Sequence, residues 1–225
     1  ALLRSRVHAG NGGAAARVLP GIASGENIAT LALTEESGRW DEEGIEMEAT
    51  ADGDGWNLSG TKMYVLDGHL ADVVLVAART PGGVSLFEVA GDADGLTRTA
   101  LATMDLTRKQ ARLEFCNVAA TLVGAEGAGW GVLERVLDLA AVALPADQVG
   151  GAQVCLDTAV QYAKDRIQFG RPIGSFQAIK HKCADMVLVF GSSKSARHYA
   201  GWCGAVLNDE LPLAAPLRKA DAPVD

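Results

Sequence analysis

Basic residues are the scarcer charge in this chain, with 20 Lys and Arg against 28 Asp and Glu and a net charge of −8. A general nucleic-acid surface needs clustered cations, so this balance argues against one. It leaves room for an anionic cofactor, because backbone N–H groups and one or two arginines can hold a pyrophosphate locally. Cysteine is sparse too. Cys116, Cys155, Cys183 and Cys203 lie far apart with no CxxC spacing, which fits a reduced, cytoplasmic protein whose thiols act as small apolar groups. The histidines His8, His69, His181 and His198 have neither ligand spacing nor cysteine partners, so no metal site is expected. No apolar run approaches the length of a membrane span, and there is no signal-peptide pattern. The chain opens on Ala inside a helical pattern and stops at Asp225 after Leu-Pro-rich sequence. It reads as a fragment.

What is present is ordinary packed-protein material, 48% hydrophobic and 21% charged, so disorder is not expected. Three textures follow one another. Residues 1–25 read as short helical pieces, with Leu2, Leu3 and Val7 on one side, a Gly-rich break at Gly10–Gly13, and Ala14–Val18 ending at Pro20. Residues 26–125 alternate as strands. Ile45, Met47 and Ala49 precede the Asp-Gly-Asp-Gly turn at 52–55, and Trp56, Leu58 and Gly60 follow it. Val73–Ala78 and Val84–Val89 flank Pro81-Gly82-Gly83, a hairpin signal, and Ala111, Leu113 and Phe115 alternate again. Short strands without long helices between them suggest an antiparallel sandwich or barrel. From Trp130 the period becomes helical through Val132, Val136, Leu139 and Val142, and Pro145 should kink or divide that run. Phe176, Ile179, Cys183, Met186, Val187 and Phe190 predict a second helix reaching about Trp202–Leu207. Gly124–Gly131 is glycine-rich, but lacks the βαβ unit of a dinucleotide-binding loop.

The break between the two late helices carries the chemistry. Tyr162–Met186 reads YAKDRIQFGRPIGSFQAIKHKCADM. Arg166 offers a planar fork for a pyrophosphate, Gln168 a reach to ribose or phosphate oxygens, and Phe169 a face for an aromatic ring. An isolated R-x-x-F-G would read as a helix C-cap with a core phenylalanine. The match continues through P-I-x-x-F-Q and A-D-M, and this stretch closely resembles the segment with which acyl-CoA dehydrogenases hold FAD across a subunit interface. The resemblance implies an α+β fold with an antiparallel β-domain between helical domains. Residues 1–25 would end the N-terminal helical domain, 26–125 would form the β-domain, and 126–225 would begin the last domain, a partial antiparallel helical bundle.

By the same resemblance, Arg166, Gln168, Phe169, Ile173, Phe176 and Gln177 bind FAD of a neighbouring subunit. Two further patches match. Ile28–Asp41 contains an apolar strand ending in Thr-Glu, which places Leu33 and Thr34 beside the flavin ring. There the usual Pro and Gly-Ser-Asp give way to Glu36-Ser37-Gly38-Arg39-Trp40-Asp41, with Trp40 replacing a flavin-seating serine. Asn57–Asp67 resembles G-x-K-x-[WY]-[IV]-T-N and sets Tyr64 and Val65 at the flavin, but Leu66 replaces a hydrogen-bonding threonine. Asp138 matches a position that helps seat CoA.

The implied activity is FAD-dependent α,β-dehydrogenation of an acyl-CoA, with electrons passed to an electron-transfer flavoprotein by a homo- or hetero-oligomer, dimer or tetramer. That reaction needs a carboxylate base near neutrality. In a minority of the family, a Glu and an Arg stand where this chain has Ala140 and Ala141, and neither alanine can act. Asp147 shares a face with Ala140 but lies roughly 10 Å along the helix. The catalytic base is therefore unassigned. It falls in sequence beyond Asp225, or the chain is a non-catalytic partner subunit. A flavin oxidase of the same fold is a further alternative.

Overall fold

The computed structural model describes residues 12–53 and 55–206. The helical face expected at Leu2–Val7 lies outside them. The chain separates into two compact units, Ala1–Val136 and Leu137–Asp225.

The described part of the first unit begins with helix α1 (Gly12–Ser24). The sequence predicts an end at Pro20, but the helix continues for another turn. A proline removes one N–H donor, and here the remaining ladder outweighs that loss. The helix stops at Gly25, whose φ of +79° supplies the left-handed residue of a C-terminal cap.

Seven strands follow: β1 (Ala29–Ala32), β2 (Glu48–Asp52), β3 (Gly55–Leu66), β4 (Val73–Thr80), β5 (Gly83–Ala90), β6 (Leu96–Ala100) and β7 (Gln110–Val123). Both turn signals make hairpins, with Asp52 opposite Gly55 and Thr80 opposite Gly83. Pairings β4–β2, β2–β3, β3–β7, β7–β5 and β5–β4 close the sheet into a ring, a barrel rather than a sandwich. Closure is possible because short strands share an edge. The strands β1 and β2 follow one another along β4, while β6 and β5 follow one another along β7. The domain is antiparallel apart from β1 and β2, which meet β4 in parallel.

The barrel interior is filled from the alternating positions that the sequence displays. Leu58, Val65, Val74, Val76, Phe87, Leu113 and Phe115 are all buried in one cluster. Each such side chain contributes about 1.5–3 kcal/mol on leaving water. Strand β4 is buried on both faces, Leu75 and Ala77 included, which explains why it reads as a continuous apolar run rather than an alternation.

Helix α2 (Gly129–Asp165) is continuous, so Pro145 does not divide it. The proline forfeits a single bond to the Ala141 carbonyl within a 37-residue ladder. The unit boundary falls inside α2, whose first turns bury Leu133 and Val136. Helix α3 (Gln177–Val206) begins where the sequence reading places it and runs to the last described residue. In the second unit, Cys203 packs against Leu139 and Val142, and Gly204 faces Val142, while at the other end Gly174 lies on Ala163. The two helices therefore run antiparallel. By length and composition α2 is apolar enough to cross a membrane, contrary to the expectation above, with 11% of its apolar window buried. Its Ala-, Leu- and Val-rich turns carry few charges, and length with composition does not separate a bilayer span from a bundle helix.

One close approach makes a direct test of the barrel. At Gly91, a Cβ would lie 1.9 Å from the Ala71 carbonyl oxygen, so the turn after β3 and the end of β5 leave no room for a side chain. Gly91→Ala should lower unfolding free energy by roughly 2–4 kcal/mol in denaturant titrations. Gly131→Ala, with nothing within 4 Å of its Cβ, should not. Equal stability of the two variants would contradict the packing.

Candidate functional site

The first cluster sits where β1 ends and β3 bulges. Along β3 the register with β7 shifts between Lys62 and Val65, so that Met63 and Tyr64 form a bulge. Tyr64 adopts φ +57° and its side chain is 50% exposed. A left-handed backbone is unfavourable for a bulky residue by about 1–2 kcal/mol, and strain of this kind concentrates at functional positions. The bulge is tied to β1 by the Met63 N–H, which donates to the Thr34 carbonyl at 2.8 Å. Thr30 Oγ1 donates to the Leu66 carbonyl at 2.6 Å.

Leu33, Thr34, Tyr64 and Val65 are thus brought together. Leu33 and Val65 turn their side chains into the core, so a ligand could meet only their main chain. Thr34 is half-buried and Tyr64 exposed. Leu66 is exposed, with Asp67 in a left-handed conformation beside it. Trp40 stands 65% exposed in the loop after β1, where Arg39 pairs with Asp41 and Glu43.

Beneath this edge lies a feature that the sequence reading missed. The Lys62 side chain is fully buried, and its Nζ donates to Glu35 Oε1 at 2.6 Å and to the Leu33 carbonyl at 3.1 Å. The Glu35 carboxylate also accepts from the main-chain N–H groups of Glu46 and Met47. A lone charge here would be costly; the pair with its extra hydrogen bonds is tolerated. Burial pushes the Lys62 ammonium down to about 8, against the pull of Glu35. A hollow of ≈ 370 Å³ opens beside the pair, and its lining of Glu35, Glu46 and Glu48 suits no phosphate.

The second cluster is the corner between α2 and α3. Residues Ile167–Gln168 and Arg171–Pro172 form a two-stranded hairpin, with Phe169 at φ +52° and Gly170 at φ +75° as its two turn residues. The Ile173 N–H donates to the Arg166 carbonyl at 2.8 Å, fixing the base of the corner. The Phe169 ring is 92% exposed and meets the Phe176 ring edge-on, with centroids 6.1 Å apart. The Arg171 guanidinium lies over Phe176 at 4.2 Å. Arg166, Gln168 and Gln177 are exposed, and Ile173 is half-buried. Among the described residues Arg166 has no ion-pair partner. Six of the expected site residues are thereby gathered in one corner. Asp138 is not, since it lies 28 residues earlier on α2, roughly 40 Å along the axis. Ala140 and Ala141 are half-buried on the same helix, and no group of three or more potential metal ligands occurs among the described residues.

Comparison with known proteins places these clusters in context. Residues 30–118 match the model for the middle domain of acyl-CoA dehydrogenases, and residues 127–205 match that for their C-terminal domain. Mitochondrial isobutyryl-CoA dehydrogenase of Dictyostelium discoideum is 33% identical over 188 residues, covering 79% of this chain and 45% of the relative. The chain spans about half the length of the curated relatives it matches. Glutaryl-CoA dehydrogenase from Mycobacterium smegmatis superposes with a TM-score of 0.85 at 34% identity, over 92% of this chain and 55% of that one. Butyryl-CoA dehydrogenase from Megasphaera elsdenii gives 0.86 at 26% identity, over 92% and 57%.

The buried lysine has a measurable consequence. An unfolded lysine titrates near 10.4, so between about pH 8 and pH 10 the unfolded chain binds more protons than the folded one. Unfolding free energy should rise across that window by up to about 3 kcal/mol, and Lys62→Met should abolish the rise. Denaturant titrations at several pH values read this directly; a wild-type profile matching the variant's would contradict it.

Proposed function

This chain belongs to the acyl-CoA dehydrogenase family, and on that premise we propose that it binds FAD at the corner between α2 and α3 and serves the α,β-dehydrogenation of an acyl-CoA thioester. The observation that carries this reading is the corner itself. An almost wholly exposed phenylalanine is held at its tip by a left-handed backbone, next to an arginine without an ion-pair partner among the described residues. Exposed aromatic faces and guanidinium forks are the groups that an aromatic nucleotide with a pyrophosphate requires, so the residues present fit the cofactor.

When bound, FAD supplies the acceptor for the hydride leaving the β-carbon of the thioester. The chain's own residues have binding and orienting roles. Arg166 would hold the pyrophosphate, Gln168 and Gln177 would donate hydrogen bonds to the cofactor, and Phe169, backed by Phe176 and Ile173, would offer it an aromatic face. Thr34 and Tyr64 present a hydroxyl and an aromatic face at the β-domain edge. Asp138 is assigned to the CoA moiety, away from the corner. Electrons leave to an electron-transfer flavoprotein, and the cofactor is shared between protomers of an oligomer. The exposed thiols Cys116 and Cys155 suit a reducing, cytoplasmic setting.

The α-proton needs a carboxylate, and Ala140 and Ala141 offer none. On this reading the base lies in sequence outside these 225 residues. A second reading, a non-catalytic partner subunit, draws on the same alanines and on Leu66, an exposed side chain unable to hydrogen-bond where the family pattern has threonine. Turnover by the full-length chain alone supports the first reading, and turnover only with a co-expressed homologue supports the second.

In full-length protein, Phe169→Ala should leave stability nearly unchanged, because the ring is exposed, yet weaken FAD binding roughly tenfold. Arg166→Ala should weaken it by about ten- to a hundredfold. Flavin titration of the apoprotein measures both. A colourless wild type that takes up no FAD would end the proposal.

A further inference from the structure

We propose that Lys62 is a positioning residue for the bound flavin, locking the end of β1 and the Met63–Tyr64 bulge into one arrangement; this rests on the FAD reading above. The Leu33-Thr34 peptides are held at both carbonyls. Lys62 Nζ reaches the Leu33 oxygen from inside the barrel, and the Met63 N–H takes the Thr34 oxygen from the bulge. The ammonium is held in turn by Glu35, whose carboxylate is fixed by the N–H groups of Glu46 and Met47. Three segments distant in sequence, at 33–35, 46–47 and 62–64, therefore meet at one buried charge.

The consequence for a ligand follows from register. Side chains alternate along a strand, so a slip of one residue exchanges the inner and outer faces. Here the bulge sets Tyr64 outward and Val65 inward, and it does so at the expense of a left-handed tyrosine. Lys62 and Val65 stand three residues apart yet both face inward, so with Val65 held in the core, relaxation of the bulge would relieve that strain only by turning Lys62 out of the barrel. Lys62 is the residue immediately before the bulge. With its side chain anchored inside by two hydrogen bonds, the strand cannot slide, and Tyr64 stays on the outer edge with Thr34. A lysine in this place acts through Leu33, Thr34 and Tyr64, without touching the ligand.

The test uses full-length, FAD-loaded protein as wild type, Lys62→Met, and the double variant Lys62→Met with Glu35→Gln. The double variant leaves no unpaired buried carboxylate, so it regains most of the thermal stability lost by the single one. FAD affinity, the visible flavin spectrum and the flavin reduction potential are measured on each. The expected result is roughly tenfold weaker FAD binding, the size of one charge-assisted hydrogen bond, with a shifted spectrum and potential in both variants, including the double variant after its stability has recovered. Should the single variant fail to fold, the double variant carries the comparison. Wild-type affinity, spectrum and potential in the double variant would overturn the proposal and leave the pair a stability element alone. Absence of FAD from the wild type would overturn this proposal and the functional reading together.

Discussion

A positive charge inside a β-barrel has to be answered from within the barrel, and that requirement organises the first unit. Lys62 occupies an interior position of β3, opposite the buried Leu113 on β7. Its partner comes from the loop after β1, and that partner's remaining lone pairs are filled by the chain entering β2. Once these bonds form, β1 and β2 are fixed at the ends of one edge of β4, the arrangement through which the ring closes. Alternative pairings would strand either a buried ammonium or a buried carboxylate, each several kcal/mol uphill. The apolar cluster is the larger source of folding free energy, and the ion pair ties the loop after β1 to the interior of β3.

Much of this was legible from local pattern. The turns at 52–55 and 81–83 specify their hairpins by glycine and proline chemistry alone, and the Phe176–Phe190 periodicity locates α3. Pro20 misled, because its helix runs on to Ser24, and of the two outcomes expected at Pro145 the division of α2 does not occur. Barrel closure could not be read, since β4–β2 and β7–β5 join residues that no short-range signal links. Lys62 was hidden for a related reason. A lysine in an alternating strand reads as a solvent-facing residue, and its acid lies 27 positions away. The apolar character of α2 was also underestimated, because the charges that interrupt it are few and spaced.

The candidate site shows the same division. The corner residues from Arg166 to Gln177 are contiguous in sequence, so a single motif exposed them together. The β-domain edge is assembled from two strands, and only resemblance linked Thr34 to Tyr64 before the Met63-to-Thr34 hydrogen bond was seen. What no motif conveyed is the backbone conformation. Tyr64 and Phe169 are both aromatic, both left-handed and both exposed. Each pays local strain to hold an apolar ring in water, a combination that folding alone does not favour. Each ring is a candidate ligand face within its own unit, and the FAD reading proposed above assigns that role to Phe169 at the α2–α3 corner.

The most direct test of that account is hydrogen exchange at the main-chain amides of Gln168 to Arg171, compared between apoprotein and FAD-loaded full-length protein. Cofactor seated on the Phe169 corner predicts markedly slower exchange there on loading. Unchanged exchange at those amides, in protein that demonstrably holds FAD, would place the cofactor elsewhere and contradict the assignment.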